Sequence, residues 1–468
     1  MSFTSIPFLI LMLALMMAWD WARQGNNRRW VTICVFSFIF YGWWDWRFLF
    51  LLMGTGLIDF VAAYLMVRKP GWRRMLLCFS IVANIGSLVF FKYLSFGVEQ
   101  LRYFLDIPDA QWGWTDSVIL PIGISFYTFQ SMSYTIDVYM GRMSAVRNPL
   151  HFFSYLSMFP QLVAGPIVRA RDLLPQLETP GHFNKANRMA GVQQATWGFV
   201  KKLVIADNIA PVVNSIFGQV DVTPDAPLWW LAAILFAIQI FADFSGYSDI
   251  ACGIARWLGY RYPENFRQPY AARSFREFWQ RWHISLSTWF RDYVYIPLGG
   301  SRSGAARSNM NLMFTMLISG LWHGANWTFL AWGGLHGLFL LLERIPGVAY
   351  AGLSRFRQCL GWIITMVGVL VGWIFFRADS IGQAFDIIAA MFFGNWKLVG
   401  MIDAMDAGSG MALLLSLVFS GYWALQALRM VRRPEESSQL RRGTLVVVGI
   451  LMAIFLRGQG DEFIYFQF

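Results

Sequence analysis

Charge is scarce in this chain. Of its 468 residues only 14% are Asp, Glu, Lys or Arg, where a water-soluble domain carries about 25%. Acids are scarcer than bases, 27 against 38, and there are only five histidines and four cysteines. Thin charge beside 57% hydrophobic residues argues against an ordinary soluble enzyme and for a polytopic membrane protein. Cys34, Cys78, Cys252 and Cys359 stand singly inside or beside apolar runs. With no CxxC and no Cys/His spacing, neither a disulfide framework nor a metal site is indicated. No basic segment precedes the first apolar run, IPFLILMLALMMAWDWA, and no small-residue cleavage site follows it, so it reads as a retained span. No stretch is long enough for a separate soluble domain, and no inverted internal repeat of the transporter kind is visible.

The formal charge of +11 would suggest a nucleic-acid partner on a soluble protein. Here the bases cluster between apolar runs, as in RKPGWRR (Arg68–Arg74) and RMVRRPEESSQLRR (Arg429–Arg442). That is the pattern of cytoplasmic loops, and it argues against nucleic acid. Apolar runs predict spans near 6–22, 30–43, 47–67, 74–93, 117–137, 187–212, 228–243, 310–322, 326–344, 357–376, 408–430 and 443–457. A helix crossing a bilayer needs about 20 apolar residues, so the shorter runs read as tilted, broken or re-entrant, with about 11 or 12 true crossings. Flanking charge places both chain ends outside the cytoplasm.

Residues 262–309 differ. Arg267, Arg273, Arg276, Arg281, Arg291, Arg302 and Arg307 alternate there with Trp279, Trp282 and Trp289. Centrally placed Arg is costly in hydrocarbon, so this is a cytoplasmic-side, partly re-entrant segment packed in protein. Its guanidinium groups suit a phosphate-bearing ligand, or equally lipid phosphate. His283 lies among them, where neighbouring cations disfavour its charged form.

His323 sits in GLWHGAN and His336 in WGGLHGL, in a stretch without acid, Lys or Arg. Glycines at 320 and 324 allow close backbone approach or a helix break. An imidazole at membrane depth is a candidate general base, since its ordinary pKa of about 6.5 lies near working pH. The other reading of His323 is a neutral histidine bonded to a neighbouring helix. His336, thirteen residues on, would face elsewhere on one straight helix and reads as packing. His151 and His182 carry no assigned role. Asp243 and Asp249, in FADFSGYSDIACG, must face protein or water and are candidate partners of the nearby arginines. QLVAGPIVR (Gln161–Arg169) suggests a broken helix. The tail, DEFIYFQF, reads as an aromatic belt or as something functional.

Six motifs now carry a resemblance: LPIGISFYTFQSMSYTIDVY (Leu120–Tyr139), FPQLVAGPIVR (Phe159–Arg169), DFSGYSDIA (Asp243–Ala251), ENFRQPY (Glu264–Tyr270), FWQRWHISLSTWFRDYVYIPLGG (Phe278–Gly300) and GLWHGANWTFLAWGGLHG (Gly320–Gly337). With GWIFFRA (Gly372–Ala378) they resemble the membrane-bound O-acyltransferase family. The bacterial exopolysaccharide O-acetyltransferases, of alginate and of acetylated cellulose, are the nearest branch, with teichoic-acid D-alanylation more distant. The resemblance implies a single membrane domain over 1–468, with a motif-bearing core at about 120–377 and a C-terminal helix and exported tail at 443–468. The implied fold is all-α and polytopic, a ring of helices with re-entrant segments around a central tunnel. It implies a bacterial inner-membrane protein with both termini periplasmic. No cofactor is bound; an acyl thioester, acetyl-CoA by expectation, is the donor substrate. The partners are a periplasmic SGNH-type acetyltransferase, the exopolysaccharide synthesis and export machinery, and membrane lipid.

By the same resemblance His323 takes the family's invariant histidine position and His283 a second one. Trp322, Asn326, Arg291 and Asp243 become candidates for substrate binding. Phe463, Tyr465 and Phe468 fill an F-x-Y-x-x-F ending, which makes Tyr465 a candidate acyl relay. Other readings are D-alanyl or lipid acyl transfer, and a lipid or polymer transporter without covalent chemistry.

Overall fold

The computed structural model describes residues 1–105, 115, 117–163, 165–179, 183–218, 225–302, 304–345, 354–396, 407–427 and 439–458. Among these there is helix and no strand. The helices are α1 (Ile6–Ala22), α2 (Asn26–Gly42), α3 (Arg47–Arg68), α4 (Arg73–Leu88), α5 (Leu94–Leu105), α6 (Ile124–Tyr139), α7 (Pro149–Leu156), α8 (Phe159–Leu162), α9 (Ala170–Glu178) and α10 (Lys185–Phe199). They continue with α11 (Asp207–Phe217), α12 (Ala226–Trp257), α13 (Phe275–Trp279), α14 (Ile284–Phe290), α15 (Ala305–His323), α16 (Trp327–Leu342), α17 (Arg355–Arg377), α18 (Ile381–Phe393), α19 (Ala407–Ala427) and α20 (Gln439–Phe455). Among the described residues four stretches are long and apolar enough to cross a membrane: Arg47–Arg68, Pro70–Leu105, Ala226–Trp257 and Arg355–Arg377. Shorter apolar helices occupy Ile6–Ala22, Trp327–Leu342, Ile381–Phe393, Gly410–Tyr422 and Gly443–Phe455.

Most anticipated spans have a helix, and the differences have physical causes. The run at 117–137 becomes helical only at Ile124, after Gly123 turns the chain at φ +77°. A Cβ on Gly123 would stand 2.6 Å from the Leu162 carbonyl oxygen, so only glycine admits this approach. The run at 228–243 continues to Trp257, its Asp243 and Asp249 paired with lysines and its Ser248 accepting from Asn265. Helices α7 and α18, which lie outside the anticipated spans, are short.

The chain forms two compact units, Met1–Val192 with Ala251–Pro263, and Gln193–Ile250 with Glu264–Phe468. In the first, α3 packs against α4 and α6, and α2 against α1 and α7. Asp59, fully buried on α3, accepts hydrogen bonds from Ser80 Oγ at 2.5 Å, from Asn84 Nδ2 at 2.8 Å and from Ser131 Oγ, which tie it to α4 and α6. The break expected in QLVAGPIVR is present: α8 stops at Leu162 and helix resumes at Ala170. His151 stacks on Trp30 with centroids 4.5 Å apart, and its Nε2 lies 3.0 Å from the Leu174 carbonyl oxygen, a structural setting.

In the second unit α15 and α16 form a tight hairpin with α17 packed on α16. A π-helical turn, Val200–Ala206, joins α10 to α11, and a second, Arg291–Tyr295, follows α14. Residues 262–309 are not one lipid-facing helix. They form the short helices α13 and α14 with irregular connections, and bury Phe278, Trp282 and Trp289.

Candidate functional site

His323 is the last residue of α15, and Gly324 leaves the helix in extended conformation. Asn326 then starts α16 by accepting a hydrogen bond from the Thr328 N–H at 3.0 Å, an N-cap that satisfies one of the donors a helix start leaves open. The two helices approach closely at glycine. A Cβ on Gly320 would lie 3.1 Å from Gly333 Cα and would also run into the Phe329 carbonyl oxygen. A Cβ on Gly324 would meet the Phe329 ring. The glycines in this motif therefore do both things anticipated of them.

No single straight helix joins the two histidines, because the chain turns between α15 and α16. His323 and His336 lie around one indole, with Trp332 centred 5.0 Å from His323 and 4.9 Å from His336. His336 is boxed by Trp279, Phe278 and Phe339, and Gly372 leaves room for its Nε2. His323 is 4% exposed and touches Trp322 and Phe376 on other sides.

His283 is fully buried and lies beyond Trp322, with ring centroids 6.1 Å apart, while Trp322 and His323 are centred 5.0 Å apart. His283, Trp322 and His323 thus form one file of rings. His283 has φ +42°, one of two non-glycine residues in left-handed backbone among those described. Such conformations persist where surrounding contacts hold them, and they gather at functional sites. Its Nδ1 lies 3.1 Å from Asn265 Oδ1. The α13 helix that leads to it is held at its start by Glu343, whose carboxylate accepts from Phe275 N–H at 2.5 Å and Arg276 N–H at 2.9 Å.

Asp243 meets a lysine: Lys202 Nζ lies 2.8 Å from Asp243 Oδ1 and 2.8 Å from Asp207 Oδ1, and all three are buried. Asp249 likewise pairs with Lys201 at 2.6 Å. Several arginines of residues 262–309 are also engaged nearby, Arg267 with Glu264 at 2.7 Å and Arg281 with Glu277 at 2.6 Å. Arg291 pairs with Asp292 at 2.7 Å, with its side chain 58% exposed. Asn326 uses its Nδ2 on the Asp379 carbonyl oxygen at 3.1 Å, so both ends of its amide serve local structure. Tyr465, with Phe463 and Phe468, lies outside the described residues, as does His182. Asn265, Trp332, Lys202 and Glu343 were not singled out from the sequence. Of these only Lys202 left a readable signal, two lysines set within an apolar run, FVKKLVIA.

The family model for membrane-bound O-acyltransferases matches residues 117–384, which includes every residue of this ring file and the hairpin that carries it. The chain belongs to the membrane-bound O-acyltransferase family. A probable alginate O-acetylase AlgI of Pseudomonas putida is 41% identical, with 100% of each chain covered. A peptidoglycan O-acetyltransferase of Helicobacter pylori is 34% identical over 76% of this chain and 72% of its own. A teichoic acid D-alanyltransferase of Streptococcus thermophilus is 26% identical over 56% of this chain and 69% of its own. This membrane-bound O-acyltransferase is therefore an enzyme, and the reading as a transporter without covalent chemistry is set aside.

Proposed function

We propose that the protein moves acetyl groups from a thioester donor on the cytoplasmic side of the inner membrane toward an exopolysaccharide of the alginate kind. The full-length similarity to an alginate O-acetylase carries the acyl group and the polymer class. Acetylated cellulose is the second polymer with the same motif set, and D-alanyl transfer is the runner-up chemistry, since a D-alanyltransferase is also a relative.

In this reading His323 is the general base. It takes the proton of an acceptor hydroxyl while that oxygen bonds to the thioester carbonyl carbon. The carbon–sulfur bond then breaks, and the thiolate leaves with the proton. A buried setting among Trp322, Trp332 and Phe376 keeps bulk water from competing as acceptor. His283, on the other side of Trp322, serves the donor end, with Arg291 toward the cytoplasmic face. Trp322 lines the path between the histidines. Asn326 and Asp243 are the further substrate contacts in this reading, Asn326 held beside His323 by its bond to Asp379 and Asp243 by its pair with Lys202. A long polymer does not thread a helical membrane protein, so Tyr465 or a periplasmic SGNH-type partner receives the acetyl group first, and export machinery presents the sugar hydroxyls.

The test is His323→Ala. Acetyl ester on the exported polymer is expected to fall by about 10²–10⁴-fold, the range general base catalysis supplies, with membrane insertion unchanged. Near-normal ester content in a stably inserted His323→Ala protein overturns the assignment.

A further inference from the structure

Asn265 lies in the ENFRQPY segment, 18 residues before His283, and is 3% exposed. Its amide oxygen is the meeting point of three groups. Ser285 Oγ stands 2.9 Å from Oδ1, the Ser285 backbone nitrogen 3.3 Å and His283 Nδ1 3.1 Å. On the other side Asn265 Nδ2 donates to Ser248 Oγ at 3.1 Å.

An asparagine amide is ambiguous by itself, because oxygen and nitrogen can be exchanged by a half-turn. One contact removes the ambiguity here. A backbone N–H can only donate, so the atom facing Ser285 N must be the oxygen. Turning the amide over would set NH2 against N–H, and Ser248, whose hydroxyl can donate or accept, would offer nothing in return. With Oδ1 fixed as an acceptor, His283 Nδ1 must carry a hydrogen, since a bare ring nitrogen would face the oxygen lone pair to lone pair.

We infer that Asn265 is a positioning residue that holds His283 in the Nδ1–H tautomer and so makes Nε2 its basic nitrogen. The inference rests on the reading that His283 works in acyl transfer. Which imidazole nitrogen is protonated is commonly set by the hydrogen bond the other makes, and a base in the wrong tautomer is ineffective however well placed. The backbone shares in this arrangement. The Ile284 N–H donates to the Asn265 carbonyl oxygen at 2.9 Å, and the Arg267 N–H to the Arg281 carbonyl oxygen at 2.9 Å. These bonds bracket His283 in its left-handed conformation and bring the ring against Phe244, with centroids 4.6 Å apart. The segment at 265–267 thus fixes both the main chain and the proton of one histidine.

A purely structural asparagine would brace this turn without choosing a proton, and the two roles separate in experiment. Acetyl transfer by the purified full-length protein would be followed against pH for Asn265→Leu, Asn265→Asp and His283→Ala. Leucine cannot accept from Nδ1–H, and kcat is expected to fall by about 10²-fold or more with donor KM nearly unchanged. Aspartate still accepts, and activity is expected to return. Its charge favours the imidazolium, and Nε2 can accept a proton or hydrogen bond at the donor end only while the ring is neutral, so the acid limb of the profile should move upward by about one pH unit or more. Equal losses for aspartate and leucine, or an unmoved limb in an active aspartate variant, overturn the tautomer lock. Wild-type kcat in Asn265→Leu overturns it too. If His283→Ala is itself fully active, the catalytic reading of His283 fails first. If His283→Ala is impaired while Asn265→Leu is not, only the lock fails. The ring-nitrogen NMR signals of His283 in the unmodified protein give a check that needs no variant. A pyrrole-type Nδ1 at neutral pH is expected, and a pyridine-type Nδ1 overturns the inference.

Discussion

Gly320 and Gly333 meet backbone to backbone, and a Cβ on Gly320 would stand 3.1 Å from Gly333 Cα. The Phe329 carbonyl oxygen closes the same space. Backbone cannot move aside as the end of a flexible side chain can. Gly320→Val is therefore expected to open the α15–α16 hairpin, at a cost of about 1–3 kcal/mol in overpacking. Thermal unfolding of the detergent-solubilised protein measures it, and an unchanged midpoint would count against the close approach.

Lys202 bridges two buried acids, so removing it takes a shared cation from both. Lys202→Met keeps the length of the side chain and loses the charge. It is expected to destabilise the second unit by about 3–5 kcal/mol, the usual cost of breaking a buried ion pair from one side. Replacing all three together, with Asp207→Asn and Asp243→Asn added, should restore much of the loss. Yield of folded protein after extraction distinguishes the single variant from the triple one.

Arg291 is more than half exposed and pairs only with its neighbour Asp292 among the contacts described above. Exposed pairs of this kind contribute about 0–1 kcal/mol, so Arg291→Ala should leave stability almost untouched. If it serves the donor end, KM for the thioester should rise while partner association stays constant. A variant with unchanged donor kinetics would remove Arg291 from the donor path.

Tyr465→Phe separates the two readings of the tail. The aryl ester of a phenol, whose pKa is about 10, is a better acyl carrier than a sugar ester. The relay reading therefore expects a severe loss of polymer acetylation. An aromatic belt expects almost none, because phenylalanine suits the interface as well. Mass spectrometry of enzyme trapped with donor should find acetyl on the C-terminal peptide of the parent protein alone.

Much of this was legible in the sequence, and unevenly. Apolar runs announce helices because lipid leaves the backbone no other partner, and α1, α3 and α17 fall close to where those runs place them. His323 and His283 stand out because imidazole is rare in such company. What the sequence concealed is side-chain pairing across helices. Asp243 looks like a partner for seven nearby arginines, and only the fold shows a lysine from the preceding π-helical turn 2.8 Å from it. Asn265 carries no signal of its own, since its importance comes from a turn that brings residues 265 and 283 together. Trp332 is one of 23 tryptophans, and only the hairpin shows that it separates two histidines.

The Asp59 network has a consequence for how the protein is made. Helices enter the membrane in order, and α3 arrives with a carboxylate and no donor of its own. Ser80 and Asn84 come with α4, and Ser131 only with α6. Lipid offers helices little hydrophobic reason to associate, so polar groups of this kind act as the glue. Until α6 is in place the carboxylate lacks a donor that it has in the finished fold. A nascent chain stopped before Ser131 would therefore carry an exposed polar defect, of the sort that membrane quality control recognises, and its half-life would report on one aspartate.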